Sequence, residues 1–243
     1  SRAGLLHAVK RGYPREKMSL IPNGIDTRHF IHDPKRGHQR REQWGIRENQ
    51  KLIGIVGRVD PIKDYSSFLQ ACALLLAEHR AVRFVCVGAG KEDLIAEYRE
   101  LAGSLHLNKY LIWAGEQEDM LSVYNALDIL VMSSISEGLP NVVGEAMACG
   151  VPCVVTDVGD SAQLVGELGE IVPPQDSRAL KQGILNLLTR LEKEGTSLNK
   201  AVTRRINEHF NVETLVNRTA GLLDELITGQ TMNKEKALET DLL

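Results

Sequence analysis

Between Lys51 and Val172 the chain alternates short, unbroken apolar runs with segments of helical period, and few folds accept that pattern. The runs are LIGIV (Leu52 to Val56), RFVCV (Arg83 to Val87), LIWA (Leu111 to Ala114), ILVM (Ile129 to Met132) and CVVT (Cys153 to Thr156). A short edge strand, EIV (Glu170 to Val172), follows them. A strand apolar at every position is covered on both faces, and here the covering elements are the intervening helices. The spacing predicts helices over Tyr65 to His79, about Lys91 to Leu105, and about Met120 to Ala126. The first carries Phe68, Leu69, Cys72, Leu75 and Leu76 on one face. The fold class is α/β: a parallel sheet of about six strands with helices on both faces, joined by right-handed crossovers.

Composition excludes several classes. At 243 residues the chain can bury a substantial core, and 43% hydrophobic with 25% charged residues is ordinary for a globular protein. A net charge of −3 makes no electrostatic case for nucleic acid or an anionic membrane. No apolar run approaches ~20 residues, so no transmembrane helix is expected. The opening SRAGLLHAVKRGYPREK lacks the apolar core of a signal peptide, and a start at Ser1 inside a helical pattern reads as a fragment. Cys72, Cys86, Cys149 and Cys153 fall in apolar patterns and read as reduced, buried thiols of a cytoplasmic protein, not as metal ligands.

The flanks are less regular. Residues 1 to about 17 read as an amphipathic helix, Ser19 to Ile21 as a brief strand, and PNGID (Pro22 to Asp26) as a turn. The basic run in His29 to Asn49 reads as a solvated linker with a helix around Arg40 to Trp44. Ser177 is the expected N-cap of a helix from Arg178 to about Glu192. Helices from about Leu198 to His209 and from Glu213 to about Thr228 follow, and residues 229–243 lack a packed pattern.

Chemistry concentrates in loops after strands. SEGLPNVVGEAMACG (Ser136 to Gly150) reads as a loop turning into a short helix, with Pro140 in its first turn and Val142, Val143, Ala146 and Met147 on its apolar face. Backbone N–H groups of Gly138, Leu139, Pro140's neighbours and Asn141 would open toward an anionic oxygen, framed by Glu137 and Glu145. After the first strand, Gly57 permits a close turn, and Arg58 and Lys63 pair a guanidinium fork with a flexible ammonium, a combination suited to a diphosphate. Each piece alone is equally compatible with a capped core helix and solvated charges. GAGKED after the second strand is too incomplete for a dinucleotide site. GEQE after the third could flank a base through Gly115 and Glu116.

IPNGID, then IGIVGRVDPIKD, then SEGLPNVVGEAMACGVPCVVTDVGD, in that order and spacing, resemble the retaining glycosyltransferases of family 4 with the GT-B fold. The resemblance runs from about Ser19 to Thr228. It implies a Rossmann-like domain, one half of a GT-B fold, that binds a nucleotide-sugar donor linked to UDP or GDP. Residues 1–50 would close an N-terminal domain and linker, 51–195 form the donor domain, and 196–228 cross back to the N-terminal domain. By this resemblance Arg58 and Lys63 hold the diphosphate and stabilise the leaving group, with Glu137 as the third catalytic residue facing the sugar. Glu145 would accept from the ribose hydroxyls, with Gly57 and Gly138 to Asn141 lining the donor, and Gly115 and Glu116 near the base. No metal or other cofactor is implied; the acceptor, a glycan or lipid-linked group, would bind the N-terminal half, so this part alone would be inactive. The full enzyme would be cytoplasmic, at the inner membrane face. The loop DVGDSAQL departs from the family: Asp160-Ser161 stand where many members have a second glycine, and Gln163 where glutamate is frequent. Two other readings stand beside this one. A GT-B-type nucleotide-sugar 2-epimerase would form product without acceptor, and a non-catalytic nucleotide-binding module would carry a vestigial site, which titration with several nucleotides would settle.

Overall fold

The computed structural model describes residues 1–228; the tail expected to be disordered, 229–243, lies outside the described residues. The strands are β1 (Lys51–Val56), β2 (Val82–Val87), β3 (Leu111–Gly115), β4 (Ile129–Met132), β5 (Cys153–Thr156) and β6 (Glu170–Val172). They form one parallel sheet in the order β3-β2-β1-β4-β5-β6. The helices are α1 (Arg2–Lys10), α2 (Pro34–Gln43), α3 (Tyr65–Glu78), α4 (Glu92–Ser104), α5 (Met120–Ala126), α6 (Asn141–Ala148), α7 (Ser161–Val165), α8 (Ser177–Glu194), α9 (Thr196–His209) and α10 (Val212–Thr228).

Alternation within the all-apolar strands feeds two separate cores. Ile53, Ile55, Phe84, Cys86, Ile129, Val131 and Val154 pack with α3, α4 and α8. Leu52, Val85, Val87, Leu130, Met132, Cys153 and Val155 pack on the other face with α5, α6, α7 and α9. Successive side chains of a strand point to opposite faces, so a run that must fill both cores has no polar position left. The four cysteines are buried free thiols, and burial pushes each upward, Cys149 to about 12. No helix among the described residues is long and apolar enough to cross a membrane.

The chain runs outward from β1 to β3, then returns to the other side of β1 to lay down β4. Loops after β1 and β4 therefore leave the sheet in opposite directions, which opens a crevice at its carboxyl edge.

Four local expectations are corrected. Ser19 to Ile21 forms no strand; the nearest pairing is a single parallel bridge between Ile25 and Asn211. Pro140 is the N-cap of α6, outside its first turn. Asp176, not Ser177, caps α8, its carboxylate accepting from the N–H groups of Arg178 and Ala179 at 3.0 and 2.9 Å. The basic run is no solvated linker, because Pro34 and the Asp33 cap start its helix early and α2 seats on α5. Arg40 donates to Ser122 and Gln117, both at 3.0 Å, and Arg41 to the Ala126 carbonyl and Asp128, both at 2.8 Å. These contacts are polar, so hydropathy could not display them.

Gly37 makes the α2–α5 seat testable. Inside a helix, Gly→Ala normally gains about 1 kcal/mol. Here a Cβ would lie 2.1 Å from the Asn125 carbonyl oxygen. Gly37→Ala is expected to cost roughly 1–3 kcal/mol in denaturant unfolding instead; a gain would show that α2 does not rest on α5.

Candidate functional site at the carboxyl edge

The loops after β1 and β4 are sewn together. Ser133, at the end of β4, donates its hydroxyl to the carbonyls of Lys63 and Asp64 at 2.8 and 3.0 Å. The Ile135 N–H donates to the Ile62 carbonyl at 2.8 Å. Ser133 and Ser134 are buried small polar residues, so each hydroxyl has to find a partner; Ser133 finds it across the crevice and Ser134 within its own loop. From the α3 side, buried Tyr65 donates to the Gly57 carbonyl at 2.8 Å and holds the first loop down.

This stitching brings Lys63 and Glu137 into contact. The Lys63 ammonium lies 2.5 Å from Glu137 Oε1, with side chains only 21% and 13% exposed. Ser134 donates to the same oxygen at 2.6 Å. Among the described residues, Glu137 Oε2 and two of the three ammonium protons have no partner. Arg58 differs: it is exposed, and among the described residues its side chain has no hydrogen bond or ion pair. The loop after β1 thus carries a partnered ammonium and a guanidinium without a side-chain partner among the described residues.

Glu137 to Pro140 lead into α6, whose N-terminus carries no side-chain cap. Leu139 is partly buried on the core beneath, and the Gly138 carbonyl accepts from the Asp160 N–H at 2.8 Å. Asn141 is exposed and accepts from the Asn23 amide at 3.1 Å. One turn further, Glu145 accepts from the Tyr124 hydroxyl at 2.6 Å through Oε2, and its Oε1 has no hydrogen bond among the described residues. Burial first, then the Glu145 carboxylate, pushes the Tyr124 phenol well above its ordinary value, so it remains a donor. Gly115 and Glu116 are exposed at the same edge, at the end of β3. No hydrogen bond or ion pair among the described residues links them to residues 137–145.

Tyr124, Ser133, Ser134, Asn23 and Asp160 belong to this site and were not singled out as site residues from the sequence. Tyr124 offered one signal: a hydroxyl in the buried run LSVY needs a partner. Asn23 offered none, since Asn-Gly is fully explained as a turn.

A doubly wound parallel sheet with cations, carboxylates and an open helix end at its switch point defines a Rossmann-like domain of GT-B type. The chain belongs to the glycosyl transferases group 1 family, whose model matches residues 50–190, more than half of the 243 residues. It is 26% identical over 222 residues to the UDP-Gal:alpha-D-GlcNAc-diphosphoundecaprenol alpha-1,3-galactosyltransferase of Escherichia coli, covering 88% of this chain and 56% of that protein. Anabaena HepE, crystallised with UDP and glucose, superposes with a TM-score of 0.84 at 23% identity, over 92% of this chain and 61% of that one. The C-terminal domain of a Francisella tularensis glycosyl transferase group 1 protein superposes at 0.62 and 24% identity, over 81% of this chain and 98% of that one. At these identities the structural likeness carries the fold alone. The chain spans about half the length of the curated relatives it matches.

Proposed function

We propose that this chain is the donor-binding half of a glycosyltransferase that moves a sugar, with retention, from a nucleoside-diphosphate sugar to an acceptor. The observation that carries this reading is the meeting of Lys63, Glu137 and the uncapped α6 N-terminus at the sheet's switch point, with Arg58 exposed on the same loop as Lys63. Two cations and a helix N-terminus complement a diphosphate. They favour its departure because the leaving group gains charge as the sugar bond breaks. The Lys63–Glu137 pair keeps the ammonium at the crevice until the donor arrives. Glu137 then faces the sugar, and Oε1 of Glu145 accepts from a ribose hydroxyl. Gly115 and Glu116 stand further along the edge, where the base would lie. Acceptor binding is assigned to a domain outside these residues, and no divalent metal is invoked in the transfer.

The test is a thermal-shift and calorimetry panel of UDP, GDP, ADP and their sugars. A ligand at ~100 times its dissociation constant stabilises the fold by about 2.7 kcal/mol. A transition unmoved by every nucleotide overturns the donor reading.

Tyr124 supplies a finer prediction. Tyr124→Phe removes the hydrogen bond that orients Glu145. The preference for a nucleoside diphosphate over its 2′,3′-dideoxy form should fall by about 1 kcal/mol, roughly fivefold. Undiminished discrimination in the variant, measured by calorimetry, would dissociate Tyr124 from ribose recognition.

A further inference from the structure

Helix α1 has little of its own to hold it in place. None of its residues is buried. Its N-terminal end is held by a residue from the far side of the sequence. The Arg2 N–H donates to Asp160 Oδ2 at 2.6 Å and the Ala3 N–H to Oδ1 at 3.1 Å. Ser1 Oγ takes the next one, from Gly4, at 3.0 Å. The first turn of α1 contains no acidic residue, so Asp160 provides the negative charge that this end of the helix favours. Asp160 is 6% exposed, a carboxylate buried for these bonds.

The same residue grips the donor loop. Its N–H donates to the Gly138 carbonyl at 2.8 Å. A Cβ on the preceding Gly159 would fall 2.4 Å from the Gly138 oxygen and 2.5 Å from that of Glu137. Ser1 Oγ lies 3.5 Å from where a Gly138 Cβ would stand. Three segments, residues 1–4, 137–138 and 159–160, thus meet at one point. A glycine in place of Asp160 could keep the backbone bond to Gly138 but neither bond to α1.

We propose that Asp160 is a positioning residue: it fastens α1 to the Glu137–Gly138 loop and so sets where that loop meets the donor sugar. The proposal rests on the donor reading above. The diphosphate cations come from the loop after β1, with which Asp160 shares no hydrogen bond or ion pair among the described residues. Its influence therefore falls more on the sugar, which the Glu137–Gly138 loop faces, than on the diphosphate.

The test uses the 243-residue chain with Asp160→Gly and Asp160→Asn, first confirmed as folded by their melting transitions. The probes are UDP against UDP-glucose, and GDP against GDP-mannose. In Asp160→Gly, amide exchange at residues 2–5 should accelerate by about tenfold or more as the clasp opens. The affinity gained on adding the sugar to the diphosphate should fall about fivefold, the effect of one hydrogen bond, with binding of the diphosphate alone nearly unchanged. Asp160→Asn, which keeps one acceptor oxygen, should fall between. Unchanged exchange in α1 overturns the clasp. Equal weakening of both ligands, or a freed α1 with an intact sugar increment, reduces Asp160 to a structural anchor and overturns its positioning role. Should the unmodified chain bind neither pair, the donor reading itself fails, and exchange at α1 still decides the clasp.

Discussion

Replacing Arg58 and Lys63 together with alanine should abolish measurable nucleoside-diphosphate binding while leaving the fold intact. Each cation contributes a charge-assisted contact worth about 1.5–3 kcal/mol, so the pair removes up to roughly 3–6 kcal/mol, or at least a hundredfold in affinity. The two losses share one ligand, so they need not add. The single variants should differ in stability. Arg58 is exposed and has no side-chain hydrogen bond or ion pair among the described residues; its loss should shift unfolding by under about 0.5 kcal/mol. Lys63→Ala leaves the mostly covered Glu137 carboxylate, 13% exposed, with only Ser134 as donor among the described residues, which should cost the fold roughly 1–3 kcal/mol. Calorimetric titration of the double variant decides the assignment: an affinity equal to that of the unmodified chain would move the diphosphate elsewhere.

Gly88→Ala should be among the most damaging single methyl additions in the sheet. Gly88 follows β2 with φ +138°, and its N–H donates to the Gly115 carbonyl at 2.7 Å. An added Cβ would lie 1.9 Å from the Gly57 carbonyl oxygen and 2.8 Å from its carbon. The obstacle is backbone, so relief requires moving the loop that carries Arg58. Overpacking of about 1–3 kcal/mol and backbone strain of similar size together predict a loss of about 2–6 kcal/mol. Gly115→Ala is the control: its φ is +66°, but a Cβ there meets nothing within 4 Å. Denaturant unfolding of the two variants should separate them clearly. Similar losses for both would mean that the close approach of β1 and β2 at this edge contributes nothing.

Most of the architecture was legible because continuous apolar runs admit few arrangements. LIGIV, RFVCV, ILVM and CVVT each had to be covered on both faces, and the helical segments between them were the available cover. The last helix, expected to cross back to another domain, leaves Leu223 and Leu226 53% and 73% exposed, and no residue of α10 is buried. What escaped was held by polar contacts or by backbone proximity. The α2–α5 seat depends on arginine side chains and a glycine, which hydropathy scores as solvent-facing.

The candidate site divides in the same way. Residue types and order along the chain determined that Arg58, Lys63, Glu137 and Glu145 would come from loops and a helix at one sheet edge, since strand direction fixes which loops converge. Sequence could not say which side chains would touch, because pairing across 74 positions depends on how β1 and β4 lie side by side. Only the tertiary structure joined Lys63 to Glu137, turned Tyr124 toward Glu145, and brought Asp160 under the first turn of α1. Those are distance-dependent interactions of a few ångströms, and the chain reaches that precision only once both cores have packed.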